Sequence, residues 1–247
     1  MKRTLLLIPA NNEAESIGTL LDKLTCPEIL EQMDILVIND ASTDATSRIV
    51  QSYPVDMITQ VINQGYGAAL QLGYKYAAHY GYDYVIQMDA DGQHDACNVG
   101  TILQALTTPD SDGVLPDIVL GSRFLPGSQT FPIPWVKQFS IRFFRWLIRL
   151  ITGTVVLDPT SGLQGLNRRT FCYYAAFRNF DTVYPDANVL IQMLMLGYHL
   201  QEIPSIMHER EAGTSMHSGF LKPLLYMMIM PLSIFSVWLR LRRHHNT

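Results

Sequence analysis

The chain reads as an α/β protein with a mostly parallel sheet and helices on both faces. Three observations predict it. Short apolar runs alternate with segments of helical periodicity through the first half, each run ends in a polar or glycine-containing break, and these breaks fall where a parallel sheet presents its carboxyl edge. The runs are Thr4 to Ile8, Asp34 to Ile38, Val55 to Ile62, Tyr84 to Met88 and Asp117 to Leu120. Between them, Glu13 to Leu24, Thr43 to Tyr53, Gly67 to His79 and Ala96 to Ala105 have helical spacing, and Ser42-Thr43-Asp44 offers N-cap chemistry for the second. Residues 1–122 therefore form a doubly wound half. The basic start Met1-Lys2-Arg3 precedes an apolar stretch too short for a signal peptide's core, so that stretch reads as the first buried strand.

The second half has a different texture. After an irregular Pro/Gly-rich stretch from Pro126 to Pro134, Lys137 to Ile151 is predicted helical, with Arg142, Arg145 and Arg149 in one stripe beside Phe143, Phe144, Trp146 and Leu147. Such a helix suits a membrane interface, an anionic ligand, or a solvated face on a packed helix. The division is a body over residues 1–215, split at 122/123, and a tail over 216–247. From Pro223 to Leu239 the tail has seventeen residues without a charge, followed by Arg240, Arg242, Arg243, His244 and His245. That length is at the lower limit for a bilayer span, and Pro223 and Pro231 interrupt it. The favoured reading is an amphipathic or re-entrant segment on the bilayer, its basic end drawn to anionic lipid. A single span, or a core helix or oligomer contact, are the alternatives.

Composition excludes several classes. With 48% hydrophobic and 16% charged residues the chain is neither disordered nor collagen-like. Cys26, Cys97 and Cys172 lack paired spacing, so they read as small buried hydrophobes and not as a disulfide framework or zinc site. The net charge of −4 hides an asymmetry: residues 1–131 carry 6 basic and 16 acidic side chains, residues 132–247 carry 12 basic and 6 acidic. An acidic half suits metal binding and a basic half suits phosphate or an anionic membrane. No basic patch is dense enough for nucleic acid.

Ligands of open α/β sheets bind beyond the carboxyl ends of the strands. Four successive polar loops fall there: Pro9 to Glu13, Asn39 to Asp44, Asn63 to Gly67, and Asp89 to His94. Asp89-Ala90-Asp91 is the sharpest local signal. In an extended segment the two carboxylates project to one side, which suits Mg²⁺ or Mn²⁺, and Gln93 adds a neutral oxygen or orients a metal-bound water. Gly65-Tyr66-Gly67 lies between a strand and a helix, but the third glycine of a dinucleotide fingerprint would fall at Leu70, which argues against an oxidoreductase. Its glycine reads as a tight-turn residue. His94 is expected at solvent or behind the metal ligands.

These motifs, followed by Gly121-Ser122-Arg123, Asp158 to Gly162, Tyr184-Pro185-Asp186, Glu202-Ile203-Pro204 and Arg210 to Ser215, occur in the order of a known family. The chain resembles the family 2 glycosyltransferases of GT-A fold, in the branch of dolichyl-phosphate mannosyltransferases and polyprenyl-phosphate glycosyltransferases, over about residues 3 to 215. The resemblance implies that Pro9, Glu13 and Asp40 hold the nucleoside, with Asn11, Gly67 and Ala90 on the same donor side. Asp89, Asp91 and Gln93 match the metal and diphosphate site, and Arg123 and Arg210 the phosphate-facing cations. Asp186 stands where relatives commonly carry Glu. The chain departs at Asn39 for the first Asp of a common pair, at Asn11 for a frequent Tyr, and at Lys137 near a frequent Arg.

The expected function is an inverting, metal-dependent transfer of a sugar from a UDP- or GDP-sugar to a membrane acceptor, above all polyprenyl phosphate. An anionic lipid phosphate needs no general base. A glycan hydroxyl would, with Asp186 the first candidate and Asp158 the second. A non-catalytic nucleotide-binding scaffold is the alternative of another class. The expected location is the cytoplasmic face of a membrane, peripheral or with one short C-terminal segment, with a second copy or a small membrane protein as further partner.

Overall fold

The computed structural model describes residues 3–110, 113–209 and 221–245. The strands are β1 (Thr4–Ala10), β2 (Met33–Asn39), β3 (Asp56–Thr59), β4 (Tyr84–Gln87), β5 (Ile118–Ser122), β6 (Gln164–Asn167) and β7 (Leu200–Pro204). The helices are α1 (Ile17–Leu24), α2 (Pro27–Leu30), α3 (Thr46–Val50), α4 (Tyr66–Tyr80) and α5 (Cys97–Thr107), then α6 (Trp135–Thr152), α7 (Arg168–Ala175), α8 (Ala187–Met195) and α9 (Leu221–His245).

One sheet in the order β3-β2-β1-β4-β6-β5-β7 joins both halves. Its pairs are parallel except where β6 runs antiparallel to β4 and to β5. The all-buried β1 and the nearly all-buried β2 explain the near-continuous apolar runs, because a parallel strand is covered on both faces. Two cores result. One face carries α4, α6, α7, α8 and α9 around Tyr74, Phe144, Phe171 and Leu190; the other carries α1 and α5 around Ile17, Leu21, Val99 and Ile102.

Three expected elements are shorter than their periodicity, each because its residues are used elsewhere. Helix α1 starts at Ile17, since the Glu13 and Ala14 amides donate to Thr46 Oγ1 and Asp44 Oδ2 in the neighbouring loop. Helix α3 starts at Thr46 with Ala45 as N-cap, and Asp44, one residue earlier, accepts from the Thr46 amide at 2.9 Å. Strand β3 stops at Thr59 because its partner β2 ends opposite it at Asn39, leaving Val61 and Ile62 exposed. Cys26 and Cys172 are half-buried, and Cys97, at the start of α5, is exposed, so the reading of all three as buried is corrected.

The basic stripe of α6 divides. Arg142 and Arg149 are exposed, whereas Arg145 is half-buried, stacks over Phe124 at 4.1 Å and donates through Nε to the Leu157 carbonyl. The tail is a continuous helix that passes through Pro231. Met230, Ile234 and Leu241 are buried, Asn188 donates to Ser233 Oγ, and Arg240 donates to Gln192 Oε1. One face of the tail thus packs on α8, as the core-helix alternative anticipates. Among the described residues no helix is long and apolar enough to cross a membrane, so the single span is not supported.

Candidate functional site

Four loops leave the carboxyl ends of β1, β2, β3 and β4, and polar side chains lock them together. Asn11 Nδ2 donates to the Asp40 carbonyl at 2.6 Å, and Asn12 Oδ1 accepts from the Thr43 amide at 2.8 Å. Asn12 and Ala41 both sit at positive φ, 57° and 54°. That is uncommon backbone for a residue with a Cβ; among the described non-glycine residues it recurs only at Arg178, outside these loops. Asp40 is buried, and its two carboxylate oxygens accept the Gln64 and Gly65 amides at 2.8 Å each. Its carboxylate therefore builds the loop after β3. Asn39 does similar work, accepting the Ser42 amide at 3.0 Å.

Of the other expected donor residues, Pro9 lies buried inside β1 in register with Ile38, and Glu13 accepts from Ser16 Oγ at 2.8 Å. Gly67 has a packing role: a Cβ there would lie 2.6 Å from the Thr182 carbonyl carbon, so the loop over 181–182 can approach α4 only because position 67 lacks one. The turn glycine is Gly65, at φ 93°.

The acidic pair sits just past β4. Strand pairing ends at Gln87 and a turn begins at Ala90, so the expected extended segment is replaced by a tight reversal with Gly92 at φ 73°. Asp89 is half-buried and accepts from the Tyr66 hydroxyl at 2.8 Å. Burial, with Asp89 next, raises the Tyr66 hydroxyl well above the usual tyrosine value, which keeps it protonated as the donor in that bond. Asp91 is buried, and its Oδ1 accepts the Gln93 amide at 3.0 Å. Gly162 closes the site from the loop before β6, where a Cβ would lie 2.2 Å from Asp89 Oδ2.

Cations surround this pair unequally. Arg123 is buried and bidentate to Asp158, through Nε at 2.7 Å and Nη2 at 2.5 Å, and its Nη2 also reaches Thr160 Oγ1 at 2.8 Å. Asp158 is itself fully buried, and Glu202 holds the Leu157 and Asp158 amides at 2.7 and 2.8 Å. This geometry corrects two expectations. Asp158 is the counter-ion of a buried guanidinium and not a general base, and Arg123 spends two of its donors on that partner.

Lys137 is exposed as a residue, yet desolvation is the largest influence on its ammonium and lowers it from the usual lysine value; Arg123 lowers it further, while Asp158, Asp89 and Asp91 raise it. Its charge thus lies in the field of both carboxylates. His94 is buried, not at solvent. Burial lowers its imidazole to about 4, Asp91 opposing and Arg123 adding to the shift, so it is neutral near pH 7. Asp186 is the residue before α8, and its charge raises the Tyr66 hydroxyl, which places it in the same electrostatic neighbourhood as Asp89. Arg210 lies outside the described residues.

Sequence reasoning missed Tyr66, which touches Asp89, and Gly162, which makes room for it. Both lie inside motifs read for their other members. It also missed a clamp between the acidic loop and the exit of β7: the His208 amide donates to the Gln93 carbonyl at 2.7 Å, and Asn98 exchanges hydrogen bonds with the Ile206 backbone at 2.7 and 2.9 Å.

A mostly parallel sheet with paired carboxylates, braced loops and a lysine beyond its carboxyl ends defines a class of α/β proteins that bind phosphorylated ligands there. The family model "Glycosyl transferase family 2" matches residues 6–171, and the chain belongs to that family. It is a glycosyltransferase, which sets aside the scaffold and oxidoreductase readings. Among curated relatives, the chain is 28% identical over 223 residues to the undecaprenyl-phosphate mannosyltransferase of Micrococcus luteus, covering 88% of each chain. It is 26% identical over 233 residues to the polyprenol monophosphomannose synthase of Mycolicibacterium smegmatis, covering 88% of this chain and 82% of that one. Among solved structures, glucosyl-3-phosphoglycerate synthase of Mycobacterium tuberculosis, in complex with Mn²⁺, UDP-glucose and phosphoglyceric acid, shares the fold at a TM-score of 0.66 and 17% identity, over 97% of this chain and 79% of that one.

Proposed function

We propose that this glycosyltransferase transfers a sugar, with inversion and with a divalent cation, from a UDP- or GDP-sugar to polyprenyl phosphate at the cytoplasmic face of a membrane. The observation that carries the reading is the placement of Asp89 and Asp91 just past β4, on the rim where four braced loops meet. The names of the two curated relatives, each matched over 88% of this chain, support the lipid phosphate acceptor.

The residues present fit Mg²⁺ or Mn²⁺. Asp89 and Asp91 offer hard anionic oxygens, and among the described residues no cluster of three or more His, Cys, Asp or Glu side chains is placed to hold a metal. The other positions of the shell would fall to donor phosphate oxygens and water, as such cations commonly arrange. Bound there, the cation would supply charge stabilisation to the departing diphosphate. Tyr66 orients Asp89 through its hydroxyl, Gly162 leaves room for that carboxylate, and the buried His94 is neutral and adds no charge to the site. Lys137 contributes positive charge on the side where anionic groups of donor and acceptor meet.

With Asp158 held by Arg123, a lipid phosphate fits best, since it attacks as an anion and leaves no proton to be removed. Asp186 is the one observation favouring a glycan hydroxyl instead, because it shares the neighbourhood of Tyr66 and Asp89. Incubating the protein with Mn²⁺, candidate donors and a short polyprenyl phosphate, with mass spectrometry of the product, decides the matter. A glycosyl phosphate lipid that disappears in Asp91→Ala is the expected outcome. Turnover unchanged in that variant removes the metal site, and product formed only on glycan acceptors replaces the lipid phosphate.

A further inference from the structure

Strand β4 ends on a residue that packing alone does not call for. Tyr84, Val85 and Ile86 bury mainly apolar side chains, and Gln87, equally buried, sets a primary amide into the interior against α4. A buried amide costs stability unless it is hydrogen-bonded, so its partners state its use. Gln87 Oε1 accepts from the Tyr74 hydroxyl, and Gln87 Nε2 donates to the Gly162 carbonyl at 3.2 Å. That carbonyl can only accept, so the amide nitrogen must face it and the amide oxygen must face Tyr74. Burial raises the Tyr74 hydroxyl above the usual tyrosine value, which keeps its proton available for the bond. Gln164 stands opposite Gln87 in the antiparallel pairing of β4 and β6, and it donates to the Ser161 carbonyl at 3.1 Å. Two paired glutamines thus fasten two consecutive carbonyls of the loop before β6.

The fastened loop is the one that meets Asp89. A Cβ on Gly162 would lie 2.2 Å from Asp89 Oδ2, while Asp89 Oδ1 accepts from the Tyr66 hydroxyl at 2.8 Å. The carboxylate is therefore bounded by Tyr66 at one oxygen and, at the other, by the backbone that Gln87 holds. Tyr66 and Tyr74 both belong to α4, about two turns apart, so one helix reaches Asp89 by two routes. The first is direct, and the second runs through Gln87 and Gly162. A methionine or leucine at position 87 would fill the interior without any polar atom to satisfy, so filling space does not account for the amide.

We infer that Gln87, its amide set by Tyr74, is a positioning residue for Asp89: by fixing the Gly162 carbonyl it places the wall against which the carboxylate rests, and so the direction from which Asp89 meets a divalent cation. This rests on the reading of Asp89 as a ligand of that cation. Gln87 acts only through Gly162. Removing its amide frees the loop before β6 and loosens the carboxylate, while the charge and the number of ligands at the site stay as they were.

The test exchanges both polar partners for apolar groups of similar shape, Tyr74→Phe with Gln87→Met in the full chain, a change that can be nearly neutral for stability. Mn²⁺ binding is followed from the electron paramagnetic resonance of the free ion, in separate series with UDP and with GDP, beside thermal unfolding by circular dichroism. The double variant is expected to melt within about 4 °C of the wild type. It should bind Mn²⁺ about tenfold more weakly, as lost support behind a metal ligand commonly does. In Gly162→Ala, where the carboxylate is already displaced, the same double change should cost little further affinity, because both act on one contact. Unaltered Mn²⁺ affinity in the double variant, or stability lost with affinity retained, overturns this inference alone and leaves the network to packing. If the double variant does not fold, Gln87→Met by itself carries the same measurement, and a chain that folds with neither assigns the pair to stability and overturns the inference too. A wild type that binds no Mn²⁺ with either nucleotide removes the metal reading itself, and this inference with it.

Discussion

The two halves of the molecule use charge in opposite ways. In residues 1–131 several carboxylates serve as structural tools in the loops: Asp40 holds two loop amides, Asp44 accepts from the amides of Ala14 and Thr46, Asp89 accepts from Tyr66, and Asp91 accepts the Gln93 amide. In residues 132–247 the cations outnumber the acids, and several point outward, as Arg142, Arg149 and Arg242 do. A carboxylate near backbone amides is satisfied locally and shapes a loop, whereas an arginine on an outward helix face is solvated by water and sets the charge of the surface.

The contact between Arg123 and Asp158 is where this division is crossed most deeply, and breaking it should have the largest effect. The pair is 3% and 0% exposed. Removing one partner of such a pair leaves an uncompensated buried charge, at a cost of about 3–5 kcal/mol. Asp158→Ala should therefore lower the urea midpoint severely, measured by circular dichroism. A variant that keeps wild-type stability yet loses turnover would return Asp158 to the role of a base and overturn the structural assignment.

Gly162→Ala asks whether the second half shapes the acidic pair of the first. The added methyl meets Asp89 Oδ2 at 2.2 Å, so the carboxylate must move. Displacing a catalytic ligand by about 1 Å can lower turnover by about 10²-fold. Donor turnover with Mn²⁺ should drop accordingly while the melting temperature changes little. Equal loss of both would mean that Gly162 serves packing alone.

Gly67→Ala reverses the expectation, stability falling more than turnover. The obstacle is the backbone at Thr182, which is less free to yield than a side chain, and overpacking of this kind costs about 1–3 kcal/mol. Thermal unfolding should register it. A stability gain, as alanine gives elsewhere in helices, would show that the loop over 181–182 moves aside freely.

These sites also mark what the sequence made legible. Strands β1, β2 and β4, with the four loops, were readable because buried parallel strands are apolar and their ends are polar. Strand β6 was not: Gln164-Gly165-Leu166-Asn167 has no apolar run, and it joins the sheet as an antiparallel filler between β4 and β5. Strand β7, Leu200-Gln201-Glu202-Ile203-Pro204, carries polar residues because it lies at the sheet edge. The acidic pair was legible as two carboxylates just past a strand, but the turn it sits in was not, since the extended segment that its spacing suggested gives way to a reversal at Gly92. The capture of Arg123 by Asp158, 35 residues away, was not, since nothing in local pattern says which carboxylate a buried guanidinium will meet. The tail was legible as uncharged, but its packed inner face depended on α8, for which the sequence offered no periodic signal.

The smallest expected effect lies in the clamp that joins the acidic loop to the exit of β7. Asp95 Oδ2 lies 2.8 Å from His208 Nε2, and hydrogen bonds from Cys97, then His208, hold the Asp95 carboxyl down at about 2. A carboxyl depressed in the folded state adds stability that is complete above its unfolded value near 4 and is lost as pH falls through the folded value. Both side chains are partly exposed, 30% and 49%, so solvent screening limits the contribution to about 1 kcal/mol. Asp95→Asn should accordingly be less stable than wild type by about that amount at pH 6, with the gap narrowing between pH 4 and pH 2 in urea titrations. A gap that persists undiminished at pH 2 would show that the Asp95 charge is not what fastens the two halves there, and that the Asn98 and Ile206 backbone bonds hold the acidic loop in place.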